Sequence, residues 1–144
     1  MSELIETYRG AVYPWHCDHM GHMNVMWYVG KFDEATWNLF AEMGVTTAFL
    51  KEHRRGMAAV QQNITYKREL HAGDTLAVRS AFLEIKEKAA TFVHEMRHGV
   101  TGEVSAVCVL TGVHIDTQTR KSCPFPEDIV ARARKLVRPY KETP

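Results

Sequence analysis

The chain has 144 residues, a formal net charge of +1, and 45% hydrophobic against 24% charged residues. That length suits one ordinary domain, here residues 1–144, with enough chain to build a core and a composition unlike that of a disordered segment. The near-neutral charge excludes bulk attraction to nucleic acid or to an anionic membrane surface, and no stretch approaches the roughly 20 apolar residues of a membrane span.

In chain order, residues 3–13 carry Leu4, Ile5, Tyr8, Val12 and Tyr13 and read as a first strand. A loop rich in His, Met and Gly runs from Pro14 to Met23. A helix follows, beginning near Val25. Its apolar positions are Val25, Tyr28, Val29, Phe32, Ala35, Thr36, Leu39, Phe40 and Met43, which is helical spacing. Lys31, Asp33, Glu34, Asn38 and Glu42 are assigned to its polar side. Asn24 is suited to cap the start and Gly44 to end it in a left-handed conformation. The wide stripe predicts a largely buried helix.

After a short segment, Thr46 to Arg55, the chain reads mostly as strands. Residues 57–69 alternate through Val60, Ile64 and Tyr66, and His71-Ala72-Gly73-Asp74 is turn chemistry. Residues 75–85 and 103–115 are rich in Val, Leu and Ile. The second run is apolar on both faces, which predicts a central strand. Pro124 and Pro126 introduce a last helix, acidic at its start (Glu127, Asp128) and basic near its end (Arg132, Arg134, Lys135), an order that complements the helix dipole. A helix segregated from consecutive antiparallel strands indicates an α+β domain with the sheet wrapped around the helix.

Three cysteines, Cys17, Cys108 and Cys123, match no common disulfide spacing. The first residues, Met-Ser-Glu-Leu-Ile-Glu, lack an apolar run and do not read as a signal peptide. Both features predict a reducing, cytoplasmic location.

The segment from Trp15 to Asn24 packs three His, one Cys and one Asp ahead of a helix start. Metal ligation is disfavoured, because ligands so close in one loop rarely close a tetrahedron and no second cluster is evident. Two readings of Asp18 stay open. It bonds its own backbone as a turn residue, or it works on a carbonyl held at the unpaired N–H groups of the helix start. Cys17 is a conceivable thiol nucleophile, although sequence neighbours such as His16 tend to point elsewhere.

The run Asp18-His19-Met20-Gly21-His22-Met23-Asn24, then Tyr28, then Phe32-Asp33-Glu34-Ala35, resembles the 4-hydroxybenzoyl-CoA thioesterase family of hotdog-fold proteins. The likeness continues at Gly73-Asp74 and covers most of the chain. It implies a hotdog fold, dimers made by sheet pairing (a homodimer or homotetramer), and hydrolysis of an acyl-CoA without metal or other cofactor. It puts the catalytic carboxylate on Asp18, as general base or nucleophile, and the carbonyl-polarising N–H at Val25. Gly21 would allow close approach, and His22 and Asn24 would shape the loop. One departure is His16, where many members carry an acidic residue; it would shift the Asp18 pKa according to its own charge. Glu34 is where other hotdog branches carry their carboxylate, but a solvated or ion-paired helix position suits it better here.

Trp27, Met26 and Tyr28 are candidates to line an acyl pocket, with Val60 and Gln61 as further substrate-binding candidates. Arg54, Arg55, Lys67 and Arg68 are candidates for CoA phosphates. Two rivals to hydrolysis are a hotdog module that binds an acyl thioester without cleaving it and a zinc metallopeptidase. The second rests on His94-Glu95-Met96-Arg97-His98, which spells H-E-x-x-H. That motif needs a helix. The local sequence allows one, since Ile85, Ala89, Phe92 and Met96 form a helical stripe ending at Gly99. Phe92, His94, Met96 and His98 also alternate as a strand, which would hold the two histidines about 13 Å apart, and the resemblance to the hotdog family implies the strand.

Overall fold

The computed structural model describes residues 4–141; Glu3, where the first predicted strand begins, lies outside the described residues. Strand β1 (Ile5–Ala11) is followed by a turn of 3-10 helix (Pro14–His16) and then by α1 (Val25–Met43). A short α2 (Thr47–His53) leads into β2 (Arg55–Tyr66). Strands β3 (Thr75–Ile85), β4 (Ala89–His98) and β5 (Val104–Asp116) precede α3 (Glu127–Arg134).

The five strands form one antiparallel sheet in the order β1-β3-β4-β5-β2. α1 lies across its concave face. Phe32, Ala35, Leu39 and Met43 are fully buried against Leu76, Val78, Phe82, Phe92 and Met96. Truncating Phe32 to Ala would cost about 3–5 kcal/mol in such a setting. A smaller cluster, Ala81, Val93 and Val107, covers the opposite face with Leu83 and Tyr140 packed on it. Strand β5 lies between β4 and β2, the central place its two-sided apolar pattern predicts, although Val109, Thr111 and Val113 on its second face are only half-buried. This is the α+β sheet around one helix that the sequence implies.

The caps of α1 are as expected. Asn24 Oδ1 accepts from the Met26 N–H at 2.9 Å, and Gly44 adopts φ 97°. Three details differ. Lys31, assigned to the polar side, is buried; its long stem runs along apolar surface and its Nζ ends at the Tyr8 hydroxyl and the Ala11 carbonyl. Val25 and Val29, assigned to the stripe, are 55% and 37% exposed, since they sit on the side of α1 away from the packed sheet. The segment after α1 holds a helix, capped by the Thr46 hydroxyl accepting from Phe49 N–H at 3.1 Å. Seven residues give too few turns for a periodic pattern.

Strand β2 begins two residues earlier than the alternation suggests and ends at Tyr66, so Lys67 and Arg68 follow it. Its register shifts between Ala59 and Gln61. Val60 is the extra residue of that bulge and is exposed.

Candidate active site

The loop before α1 is held by its own backbone. Cys17 and Met23 form an antiparallel bridge. Inside it, Asp18 N–H donates to His22 O (3.2 Å) and Gly21 N–H to Asp18 O (3.0 Å). Met23 N–H donates to Leu70 O and Asn24 N–H to His16 O, which tie the loop to the chain after β2 and to the 3-10 turn. Gly21 takes φ +86°, and a Cβ there would meet no atom within 4 Å. Its requirement is the left-handed turn; among the described residues nothing approaches it closely.

Asp18 uses both carboxylate oxygens. Oδ1 accepts from Met20 N–H at 2.8 Å and Oδ2 from Asn24 Nδ2 at 2.7 Å. The first contact is the turn bond that the local sequence suggests. The second links the carboxylate to the helix cap, because the same Asn24 amide accepts from Met26 N–H through Oδ1. The Asn24 amide, then the Met20 N–H, hold the Asp18 carboxyl below its ordinary range; partial desolvation opposes them, and His22 and His19 add smaller attractions. Asp18 is therefore ionised at neutral pH. Each oxygen keeps a further acceptor lone pair.

Val25 is the first helical residue, so its N–H has no carbonyl one turn earlier to bond. Trp27 N–H donates to Asn24 O at 2.9 Å. A partial positive end thus stands directly after the loop that carries Asp18.

His22 is half-buried, with Nδ1 3.4 Å from Met23 O and Nε2 3.7 Å from Glu69. Tyr28 is buried; its hydroxyl donates to Arg68 O at 3.3 Å and its ring meets Tyr66 edge-on. Met26 is 62% exposed, while the Trp27 ring lies 4.4 Å from that of His16. Cys17 Sγ lies 3.9 Å from Tyr13 O. Gln61 is exposed on β2 beside the bulge.

The basic candidates do not come together. Arg54 and Arg55 stand at the beginning of β2, with Arg55 paired to Asp116 at 3.2 Å. Lys67 and Arg68 lie past its other end, Arg68 at 3.2 Å from Glu103. A 12-residue extended strand separates the two pairs, on the order of 40 Å. Within one chain, a single phosphate cannot engage both. Lys67 and Arg68 sit near the loop, since Leu70 O holds Met23.

The H-E-x-x-H run lies in β4, so its histidines do not converge. His94 is fully buried, its Nε2 2.8 Å from the Thr36 hydroxyl and its Nδ1 against Ser80 Oγ. Glu95 accepts from Arg97 Nε at 2.6 Å and from the Tyr140 hydroxyl at 2.7 Å. Among the described residues, no three His, Cys, Asp or Glu side chains gather as a metal would require.

Sequence reasoning missed a groove of about 940 Å³ beside α1. His16, Trp27, Lys31 and Glu34 border it, with Tyr8 and Tyr13. The sequence holds one hint: Lys31 falls three residues after Tyr28 and four before Ala35, on the edge of the apolar stripe. A smaller apolar cavity of about 220 Å³ lies between α1 and β2, near Trp37, Phe40 and Met57.

Residues 12–133 match the model of the thioesterase-like superfamily. The chain is 23% identical over 144 residues to betainyl-CoA thioesterase of Pseudomonas aeruginosa, covering 100% of this chain and 91% of that protein. It is 23% identical over 124 residues to the long-chain acyl-CoA thioesterase FadM of Escherichia coli, covering 86% and 93%. Among solved structures, a hypothetical protein of Staphylococcus aureus in complex with CoA superposes with a TM-score of 0.85 at 18% identity, over 99% of this chain and 94% of that one. Among the described residues, no helix is long and apolar enough to cross a membrane.

Proposed function

This chain belongs to the thioesterase-like superfamily, and we infer that it works as an acyl-CoA thioesterase, cleaving an acyl-CoA to the free acid and CoA. One observation carries the assignment of the site: a single Asn24 amide joins the Asp18 carboxylate to the first turn of α1, at 2.7 and 2.9 Å. The anion is therefore one side chain removed from the donor end of the helix, which supports their acting together. In this reading the thioester oxygen accepts from Val25 N–H, which stabilises the oxyanion as it forms. Asp18 either adds to the carbonyl carbon or takes a proton from the water that adds. Collapse of the adduct breaks the C–S bond, and the sulfur leaves with its electron pair as CoA thiolate. If Asp18 has added, water then splits the mixed anhydride and restores the carboxylate. Rapid-quench mass spectrometry separates the routes, because only attack leaves an acyl group on Asp18.

Within the superfamily, the Asp18, Gly21-His22, Asn24, Tyr28 and Phe32-x-Glu34-Ala35 pattern favours the 4-hydroxybenzoyl-CoA thioesterase family. The same reading takes residues 1–144 as a single domain, and the three free cysteines support a reducing, cytoplasmic setting. A homodimer or homotetramer is supported by β2, a 12-residue edge strand exposed from Ala59 to Asn63, which offers a free row of backbone groups to a second copy.

Thiol release from a panel of acyl-CoAs tests the activity, and Asp18→Asn tests the site. A variant with near-normal turnover removes Asp18 from the chemistry. The second reading, a module that binds an acyl thioester without cleaving it, has one observation behind it: the two hydrogen bonds that lower the Asp18 pKa also weaken it as a base. Tight acyl-CoA binding with no CoA release would favour that reading.

A further inference from the structure

The groove beside α1 holds a charge that no function yet uses. Lys31 is 3% exposed. Its ammonium has two long hydrogen bonds, 3.3 Å to the Tyr8 hydroxyl and 3.4 Å to Ala11 O, and lies 5.3 Å from the centre of the Tyr8 ring. Among the described residues no carboxylate forms an ion pair with it. Glu34 attracts it from the groove's exposed edge, beside Tyr8. An ammonium has three donors, so one is left over. Keeping a cation this far from water without a close counter-ion is costly unless something supplies one.

A second donor faces the same space. His16 is 8% exposed, and its Nδ1 accepts from Tyr13 N–H at 3.0 Å. Burial, and then the Lys31 charge, hold this imidazole neutral. Its proton therefore sits on Nε2, for which the described residues provide no acceptor. Trp27 and Tyr13 line the groove beside the two donors, and Arg9, Arg79, Arg97 and His98 line it as well. Gly30 leaves the helix face open between Trp27 and Lys31, since a Cβ there would meet only the Trp27 ring, at 3.8 Å.

The groove starts next to the proposed chemistry. The link is His16, whose carbonyl accepts from Asn24 N–H at 2.9 Å and whose ring lies 4.4 Å from that of Trp27; Asp18, Asn24 and Val25 do not themselves line the groove. From Val25 to Lys31 the helix rises about 9 Å, the reach of a medium-length chain or a substituted ring. The alternative cavity between α1 and β2, about 220 Å³, falls below the range of about 300–1,000 Å³ common for ligand pockets, whereas the groove lies within it.

We propose that this groove is the acyl subsite, and that Lys31 with His16 selects acyl groups whose far end carries a carboxylate. The proposal rests on the thioesterase reading. Lys31 is then a specificity-determining residue: the substrate carboxylate pairs directly with an ammonium that, among the described residues, Glu34 attracts only from a distance. A trimethylammonium at the same place meets like charge and is rejected.

The test compares three CoA thioesters of equal length: adipyl-CoA, hexanoyl-CoA, and an analogue ending in trimethylammonium. Expected is a kcat/KM for adipyl-CoA at least about tenfold above hexanoyl-CoA, expressed mainly in KM, with the cationic analogue lowest. Lys31→Met is expected to erase the adipyl preference, and Lys31→Arg to keep most of it. Should the methionine variant fold poorly by thermal melting, Lys31→Gln makes the same comparison. Equal or better use of hexanoyl-CoA by the unaltered protein, or a preference that survives removal of the charge, overturns the proposal. If no thioester is cleaved, the thioesterase reading fails instead. Calorimetric affinities for adipyl-CoA and hexanoyl-CoA then still decide the subsite, since it demands about tenfold tighter binding of the former.

Discussion

Two stretches of this chain bring histidines and a carboxylate together, and they end in opposite states. From His16 to Asn24 the chain is a loop tied at both ends, with Asp18 ionised beside an open helix start. From His94 to His98 it is an interior strand, where His94 is sealed between Thr36 and Ser80 and Glu95 is matched by Arg97 and Tyr140. The residue types are much the same. What differs is whether the backbone leaves donors over. A strand inside a sheet spends its N–H groups on its neighbours, and its side chains end in fixed partners. A loop that runs into a helix leaves the first amides unpaired, so nearby side chains face something reactive.

The largest test of that contrast is Asp18→Asn. It keeps the acceptor that Met20 N–H uses but removes the charge. Turnover is expected to fall by about three or more orders of magnitude in the thiol-release assay, with the circular dichroism spectrum unchanged. The matching change in the strand should act on stability alone. Burial pushes the His94 pKa down to about 3, from an ordinary value of 6.5. Its neutral form is favoured in the folded chain, so this contribution is complete above pH 6.5 and is lost as pH falls toward 3. Each pH unit inside that window removes up to about 1.4 kcal/mol. Between about pH 6.5 and about pH 4.5, urea unfolding should show a stability loss for the unaltered protein exceeding that of His94→Gln by roughly 2 kcal/mol. Equal pH slopes in the two proteins would mean that His94 is not the buried base described.

The same contrast explains what can be read from residues in order. The helix from Val25 and the strands through Ile85 and Asp116 announce themselves, because burial imposes a period on ten or more side chains. The Asp18 loop is legible for another reason: its Asp, Gly and Asn each have a local job in a turn or cap, and those jobs stand close together in sequence. Lys31 goes to the wrong side of the helix because charge outweighs position when a face is drawn, although its spacing from Tyr28 and Ala35 places it at the edge of the core. Composition groups the basic residues together, and only the extended length of β2 shows that Arg54 and Arg55 are remote from Lys67 and Arg68. The groove needs the sheet itself, since β1 and α1 approach each other only after folding.

Asn24→Ala sharpens the claim that the loop and the helix start act as one unit. It removes the cap at Met26 and the contact to Asp18 in one step. Loss of the cap costs about 1 kcal/mol, which lowers Tm by only a few degrees in a chain of this size. If Asn24 merely caps, activity below the melting range stays near normal. If it also holds the carboxylate, kcat falls roughly ten- to a hundredfold, and the acidic limb of the pH profile moves up, because the first cause of the lowered Asp18 pKa is gone.

The smallest effect belongs to Glu95→Gln. In the metallopeptidase reading this residue would be the general base, and its amide would abolish activity. Here Glu95 is held by Arg97 and Tyr140 on the face of β4 that carries Val93, away from α1. A glutamine keeps the shape and an acceptor but gives up the ionic part of the Arg97 contact. Thermal melting should register a loss of about 1–2 kcal/mol, and thiol release should stay within about twofold. Retained turnover with a lowered Tm separates a residue that stabilises the sheet from one that acts on substrate, whereas a large loss of kcat at unchanged Tm would return the H-E-x-x-H run to consideration.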